Sequence, residues 1–168
     1  MRYKYFLITA LIFVLDHATK YAVRWRFDLG DGLEIIPGFL RLARVHNSGV
    51  AFGLFAKVES PYKPYILALM AVVAVVVIIA YGARMPSQRR LLQLALAVTL
   101  GGILGNFTDR LMHGFVVDFV ELHLYEAYSW PTFNVADSAI TIGIALLLID
   151  TVKNPEPDEQ PRKETETA

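Results

Sequence analysis

Four apolar stretches, each of about 20 residues, constrain this chain more than any other feature. They run over residues 4–24, 65–83, 91–110 and 135–152. That length of helix crosses the hydrocarbon core of a bilayer, and inside lipid only a helix or a closed barrel satisfies its own backbone polar groups. The sequence therefore predicts an α-helical membrane protein with four transmembrane helices. Its 55% hydrophobic and 19% charged residues agree, since soluble domains carry about 25% charged residues. The first stretch begins behind Arg2 and Lys4, as a secretory leader does. It continues through L-D-H-A-T-K-Y-A-V without a small-residue cleavage site, so a spanning helix is expected.

A formal net charge of +0 gives a nucleic-acid partner no electrostatic support. The absence of cysteine removes disulfides, thiolate metal sites and a cysteine nucleophile together. No H-E-x-x-H, G-x-S-x-G or phosphate-binding glycine loop occurs, and neither a cofactor nor a metal is expected.

Between the first two spans, Leu33–Ile36 and Phe39–Val45 read as strands joined through turns at Gly30-Asp31-Gly32 and Pro37-Gly38. A small antiparallel sheet is expected there. H-N-S-G-V-A-F-G follows from His46 to Gly53. Asn47 and Gly49 suit a tight turn lining a site, although the pattern alone favours an ordinary loop with a hydrogen-bonding Asn. Residues 1–152 are expected to form a single membrane-embedded domain, and residues 153–168 a disordered cytoplasmic tail.

Basic residues set the orientation. Arg2 and Lys4, then Arg84, Arg89 and Arg90, then Lys153 belong inside by the positive-inside rule. Both termini are then cytoplasmic, and residues 27–63 and 111–134 face outward. At 1.5 Å per residue, Asp16 lies about 18 Å up the first helix, Asn106 about 22 Å and Asp109 about 27 Å up the third. Asp137 opens the fourth helix, with Asn134 just before it, and Asp118 lies in the outer loop within F-V-V-D-F-V. Polar groups from four segments thus converge at the outer boundary. Asp16 and Lys20 stand four apart and can pair on one helical face, either as a structural ion pair or as part of a site. Gly101 and Gly105 allow close helix approach. With other nucleophiles lacking partners, two aspartates sharing one proton are the chemistry left, and Asp118 and Asp137 can supply them.

These blocks, L-D-H-A-T-K at Leu15–Lys20, N-S-G-V-A-F-G at Asn47–Gly53, G-G-I-L-G-N-F-T-D-R at Gly101–Arg110, V-V-D-F at Val116–Phe119 and F-N-V-A-D-S at Phe133–Ser138, occur in one order over roughly residues 5–150. In that order they resemble the signal peptidase II family, the lipoprotein signal peptidases of bacterial membranes. The resemblance implies an aspartyl endopeptidase with Asp118 and Asp137 as catalytic dyad. It implies supporting roles for Asp16, Asn47, Asn106, Asp109, Arg110 and Asn134, and Lys20 and Gly49 join this group by position. It implies cleavage before the diacylglyceryl cysteine of a prolipoprotein, at the outer face of the bacterial cytoplasmic (inner) membrane. The implied partners are that substrate, membrane lipid and globomycin-like cyclic peptide inhibitors. The implied fold adds an extracytoplasmic β-sheet cradle and an outer loop or helix to the four spans. His17 stands where the family usually has Gln, and Val50 where it usually has Ala. A small ion-coupled transporter or channel using the same acids is the alternative.

Overall fold

The computed structural model describes residues 3–49, 60–86, 88–124 and 128–155. Val50–Gly53 of the N-S-G-V-A-F-G block and most of the C-terminal tail, from Glu156 on, lie outside the described residues, as does the stretch up to Glu59 where part of an outer loop or helix would fall.

Four helices match the four apolar stretches: α1 (Tyr3–Arg26), α2 (Lys63–Arg84), α3 (Arg90–His113) and α4 (Val135–Lys153). All four are long and apolar enough to cross a membrane. Pro64 starts α2, where its missing N–H costs nothing. α3 runs three residues past the expected end because Gly114, at φ +78°, supplies the left-handed cap and donates its N–H to the Arg110 carbonyl at 3.0 Å.

α3 is the hub. In its most apolar window 61% of residues are buried, against 11% in α2, so α3 packs on all sides while α2 shows nearly its whole surface. The outward faces of α1, α2 and α4 carry Leu7, Leu11, Val14, Val76, Ile142 and Leu148, all exposed. Such a surface needs lipid around it. Close packing at the hub depends on small residues. A Cβ on Gly102 would strike the Ala136 carbonyl of α4, and one on Gly101 would meet Ile12 of α1 at 2.9 Å.

The remaining elements form one antiparallel sheet in the order β1 (Gly32–Ile36), β2 (Leu40–Asn47), β3 (Val116–Leu124), β4 (Tyr128–Ser129). β1 and β2 are the two strands expected. β3 and β4 correct the reading of residues 111–134 as a loop: Asp118 sits on a strand. Val116, Val117, Asp118 and Phe119 are all buried, so β3 is covered on both faces and lacks an in–out alternation. Val117, Phe119 and Val23 form a small core on which Phe27, Leu42, Phe115 and Val135 pack. This core welds the sheet to the ends of α1 and α4. β1 stays exposed along its length, including Leu33, Ile35 and Ile36.

Candidate active site

Register in the sheet decides what faces Asp118. Val45 of β2 pairs with Asp118, and an irregularity between Leu42 and Val45 shifts the strand just before it. Asn47, two residues beyond Val45, therefore lies on the same face, diagonal to Asp118. Its Nδ2 donates to Asp118 Oδ2 at 2.9 Å, and its Oδ1 accepts from the Gly49 amide at 2.8 Å.

Asn134 joins the two acids. It is the N-cap of α4: its Oδ1 accepts from the Asp137 amide at 2.9 Å, and its own amide donates to Asp137 Oδ2 at 3.2 Å. This is a capping box closed by a carboxylate. The same side chain donates through Nδ2 to Asp118 Oδ1 at 2.6 Å. Asn106 of α3 completes the frame, donating to Asp137 Oδ1 at 2.7 Å and accepting from Asn134 at 3.2 Å. Each carboxylate thus has both oxygens engaged by amide donors.

Beneath the pair lies a buried ionic cluster. Lys20 is fully buried, and its ammonium meets Asp16 at 2.7 Å, Asp109 at 3.1 Å and Asn106 Oδ1 at 2.9 Å. The buried ammonium thus faces two carboxylates and one amide oxygen, the company a buried cation needs. The acids are also tied outward. Asp16 Oδ1 accepts from the Ala136 amide at 2.9 Å, and Asp109 accepts from the Val117 amide at 3.1 Å. α1, α3, α4 and β3 are thereby locked together at one level. Arg110 donates to the Gly49 carbonyl at 2.6 Å and to the Asn106 carbonyl at 3.3 Å.

Electrostatics follow from this packing. Burial, and then the charge of Asp137, push the Asp118 carboxyl up to about 7, against the opposing hydrogen bonds from Asn47 and Asn134 and the charge of Lys20. Two cations, Lys20 and Arg110, face the four carboxylates Asp16, Asp109, Asp118 and Asp137. That imbalance favours retention of a proton by the Asp118–Asp137 pair.

The two acids differ in access. Asp118 is fully buried, whereas Asp137 is half-buried and lines a cavity of about 450 Å³. Leu122, Trp130, Phe133, Ile140 and Ile144 supply most of the wall, with Ser138 and Thr141 beside the acid. Ile142 and Ile144 of α4, both exposed, line the same cavity.

Gly105 belongs to this machinery rather than to helix packing alone. A Cβ there would stand 2.5 Å from Asp16 Oδ2. Gly105→Ala is expected to cost about 1–3 kcal/mol by overpacking and to displace Asp16 from Lys20. A lowered thermal midpoint measured in detergent checks this, and an unchanged midpoint would count against it.

Comparison with known proteins identifies the family. The family model described as signal peptidase (SPase) II matches residues 8–153. The chain belongs to the signal peptidase II family. The lipoprotein signal peptidase of Solibacter usitatus is 41% identical over 153 residues, covering 91% of this chain and 93% of that one. That of Alteromonas mediterranea is 41% identical over 147 residues, covering 88% and 79%. Among solved structures, a bacterial membrane enzyme determined by the in meso method at 1.9 Å resolution matches with a TM-score of 0.78 at 30% identity, covering 90% of this chain and 94% of that one. A second, at 2.3 Å resolution, gives a TM-score of 0.79 at 28% identity, covering 98% and 94%. A signal peptidase II is a protease, and the transporter alternative finds no support in these matches.

All ten residues singled out in this signal peptidase II from its sequence meet in one network. His17 stays at its edge, with Nδ1 3.1 Å from the Phe13 carbonyl and 3.9 Å from Asp16. The apolar cavity wall was not anticipated. Its residues lie on β3, the segment before α4 and one face of α4, and only the fold brings them together.

Proposed function

We propose that this signal peptidase II removes signal peptides from prolipoproteins by aspartic chemistry on Asp118 and Asp137. The observation that carries the reading is Asn134, whose side chain holds one oxygen of Asp118 while its amide holds one oxygen of Asp137. Two carboxylates so joined share one proton. The ionised member takes a proton from water as the oxygen attacks the scissile carbonyl carbon. The protonated member gives its proton to the carbonyl oxygen, forming a gem-diol. A proton then passes to the leaving nitrogen, the C–N bond breaks, and a carboxylate and a free α-amine result. Asn106, Asn47 and Asn134 fix both acids. Asp16, Lys20, Asp109 and Arg110 brace that frame, and Gly49 receives Arg110.

The cavity supports a lipidated substrate. Asp137 shares its apolar wall with the exposed Ile142 and Ile144, which suits a chain carrying a diacylglyceryl cysteine. Globomycin-like cyclic peptides would compete there. Purified protein is expected to cleave a diacylglyceryl prolipoprotein and to leave its unlipidated form essentially intact. Equal cleavage of both would remove the lipid from the reading.

The same reading places residues 1–152 as one unit in the bacterial cytoplasmic membrane, with residues 153–168 as an inner tail and the acid pair outward. In this cysteine-free chain, a cysteine introduced at Ser129 should react with an impermeant reagent on intact cells, and one at Gln88 should not. The reverse pattern would invert the orientation.

A further inference from the structure

The end of the bundle that holds the acid pair also carries a group of cations that the proteolytic reading does not use. Arg24 in the last turn of α1 contacts His113 in the last turn of α3, Nη1 to Nε2, at 2.5 Å. The His113 and Phe115 rings stack at 5.8 Å, and Phe115 stacks on His46 at 3.7 Å. Arg44 reaches back to the Phe27 carbonyl at 3.2 Å. Burial, and then the charges of Arg44, His113 and Arg24, lower the basicity of His46.

No carboxylate answers them. Among the described residues, neither Arg24, Arg44, His46 nor His113 forms an ion pair with an acid. Arg44 Nε and His46 Nε2 are buried and lack a hydrogen-bond partner in the protein. The helix ends offset part of the charge, since each C-terminus carries about half a negative elementary charge. Among the described residues no ion pair offsets the rest of the two arginines' charge. The surroundings are interfacial: Tyr21 and Trp25 are exposed on the same helix end, as aromatics are at headgroup level. On the orientation proposed above, Arg24 and Arg44 also lie on the side that the positive-inside rule leaves poor in cations.

We propose that Arg24, Arg44, His46 and His113 form a binding site for one phosphate group, supplied by the headgroup of an anionic phospholipid. Two guanidinium forks and ring N–H donors suit the several oxygens of a phosphodiester, and its negative charge meets two arginines that no carboxylate pairs among the described residues. The site adjoins the acid pair through Asn47, the residue next to His46, so an occupied site steadies the strand that holds Asp118.

The test is native mass spectrometry of the full chain in detergent with phosphatidylglycerol, diacylglycerol or inorganic phosphate added. One phosphatidylglycerol should be retained in preference to diacylglycerol. The Arg24→Gln/Arg44→Gln protein should lose that preference by about tenfold or more, as lost charge-assisted hydrogen bonds predict. Arg24→Lys/Arg44→Lys should keep most of it, which separates charge from a folding defect. If millimolar inorganic phosphate displaces the lipid, the phosphate site stands and its source is a soluble anion; if it does not, the lipid is the source. Equal retention of diacylglycerol, or equal loss of preference in an Arg84→Gln/Arg90→Gln control, would overturn the proposal.

Discussion

Asp118→Asn and Asp137→Asn should each reduce cleavage of a diacylglyceryl prolipoprotein by on the order of a thousandfold or more, because neither amide can exchange the shared proton. The double variant should be little worse than either single one, since groups that act as a unit do not add. Chelators should leave the wild-type rate unchanged. The pH profile has a definite sign. Asp118 keeps its proton up to about 7, so kcat/KM should fall as pH rises through that value and the pair loses its acid. Stability should move the same way. The folded protein holds a proton on Asp118 that the unfolded chain has already released above the ordinary 3.8, so stability declines from about pH 4 to about pH 7 and levels off above. At about 1.4 kcal/mol per pKa unit the decline is at most roughly 4 kcal/mol. Thermal midpoints across that range should slope less steeply in Asp118→Asn than in wild type. An active Asp137→Asn protein would end the aspartic reading.

Lys20→Met should be the most destabilising single change in the site. It removes the one cation that Asp16 and Asp109 both touch and leaves two buried carboxylates uncompensated. Breaking a buried pair costs roughly 3–5 kcal/mol, a large fraction of the 5–15 kcal/mol that holds a typical domain. Low yield and a sharply lowered midpoint are expected. Asp16→Asn added to Lys20→Met should recover part of the loss, because one stranded charge is then gone. A Lys20→Met protein that melts like wild type would show that the cluster is not holding the helices.

Much of this was legible in the residues. Apolar length alone located the four helices, because lipid leaves the backbone no other solution. β1 and β2 were legible from short apolar runs, the second with Arg41 and Arg44 alternating among Leu40, Leu42 and Val45, bounded by glycine and proline turns. β3 was harder, although V-V-D-F-V-E-L-H-L after Gly114 has strand composition. A strand buried on both faces has no alternation, and the acid in its middle drew the reading toward a loop. The acids themselves were legible because carboxylates are rare beside so many apolar residues. The irregularity in β2 that sets Asn47 diagonal to Asp118 was not, nor was the contact that makes Gly105 seat Asp16. Both depend on separations of tens of residues that only the folded chain closes.

The double duty of Asn134 limits how this enzyme can change. One side chain starts a helix and holds Asp118 beside Asp137, so on the proposed aspartic mechanism a variant there is penalised twice, in assembly and in turnover. Screens that reward either property alone would discard it for the same reason. Laboratory evolution of a new specificity should therefore leave this position untouched and explore the cavity wall, where Leu122, Trp130 and Ile144 can vary without disturbing the hinge between folding and reaction.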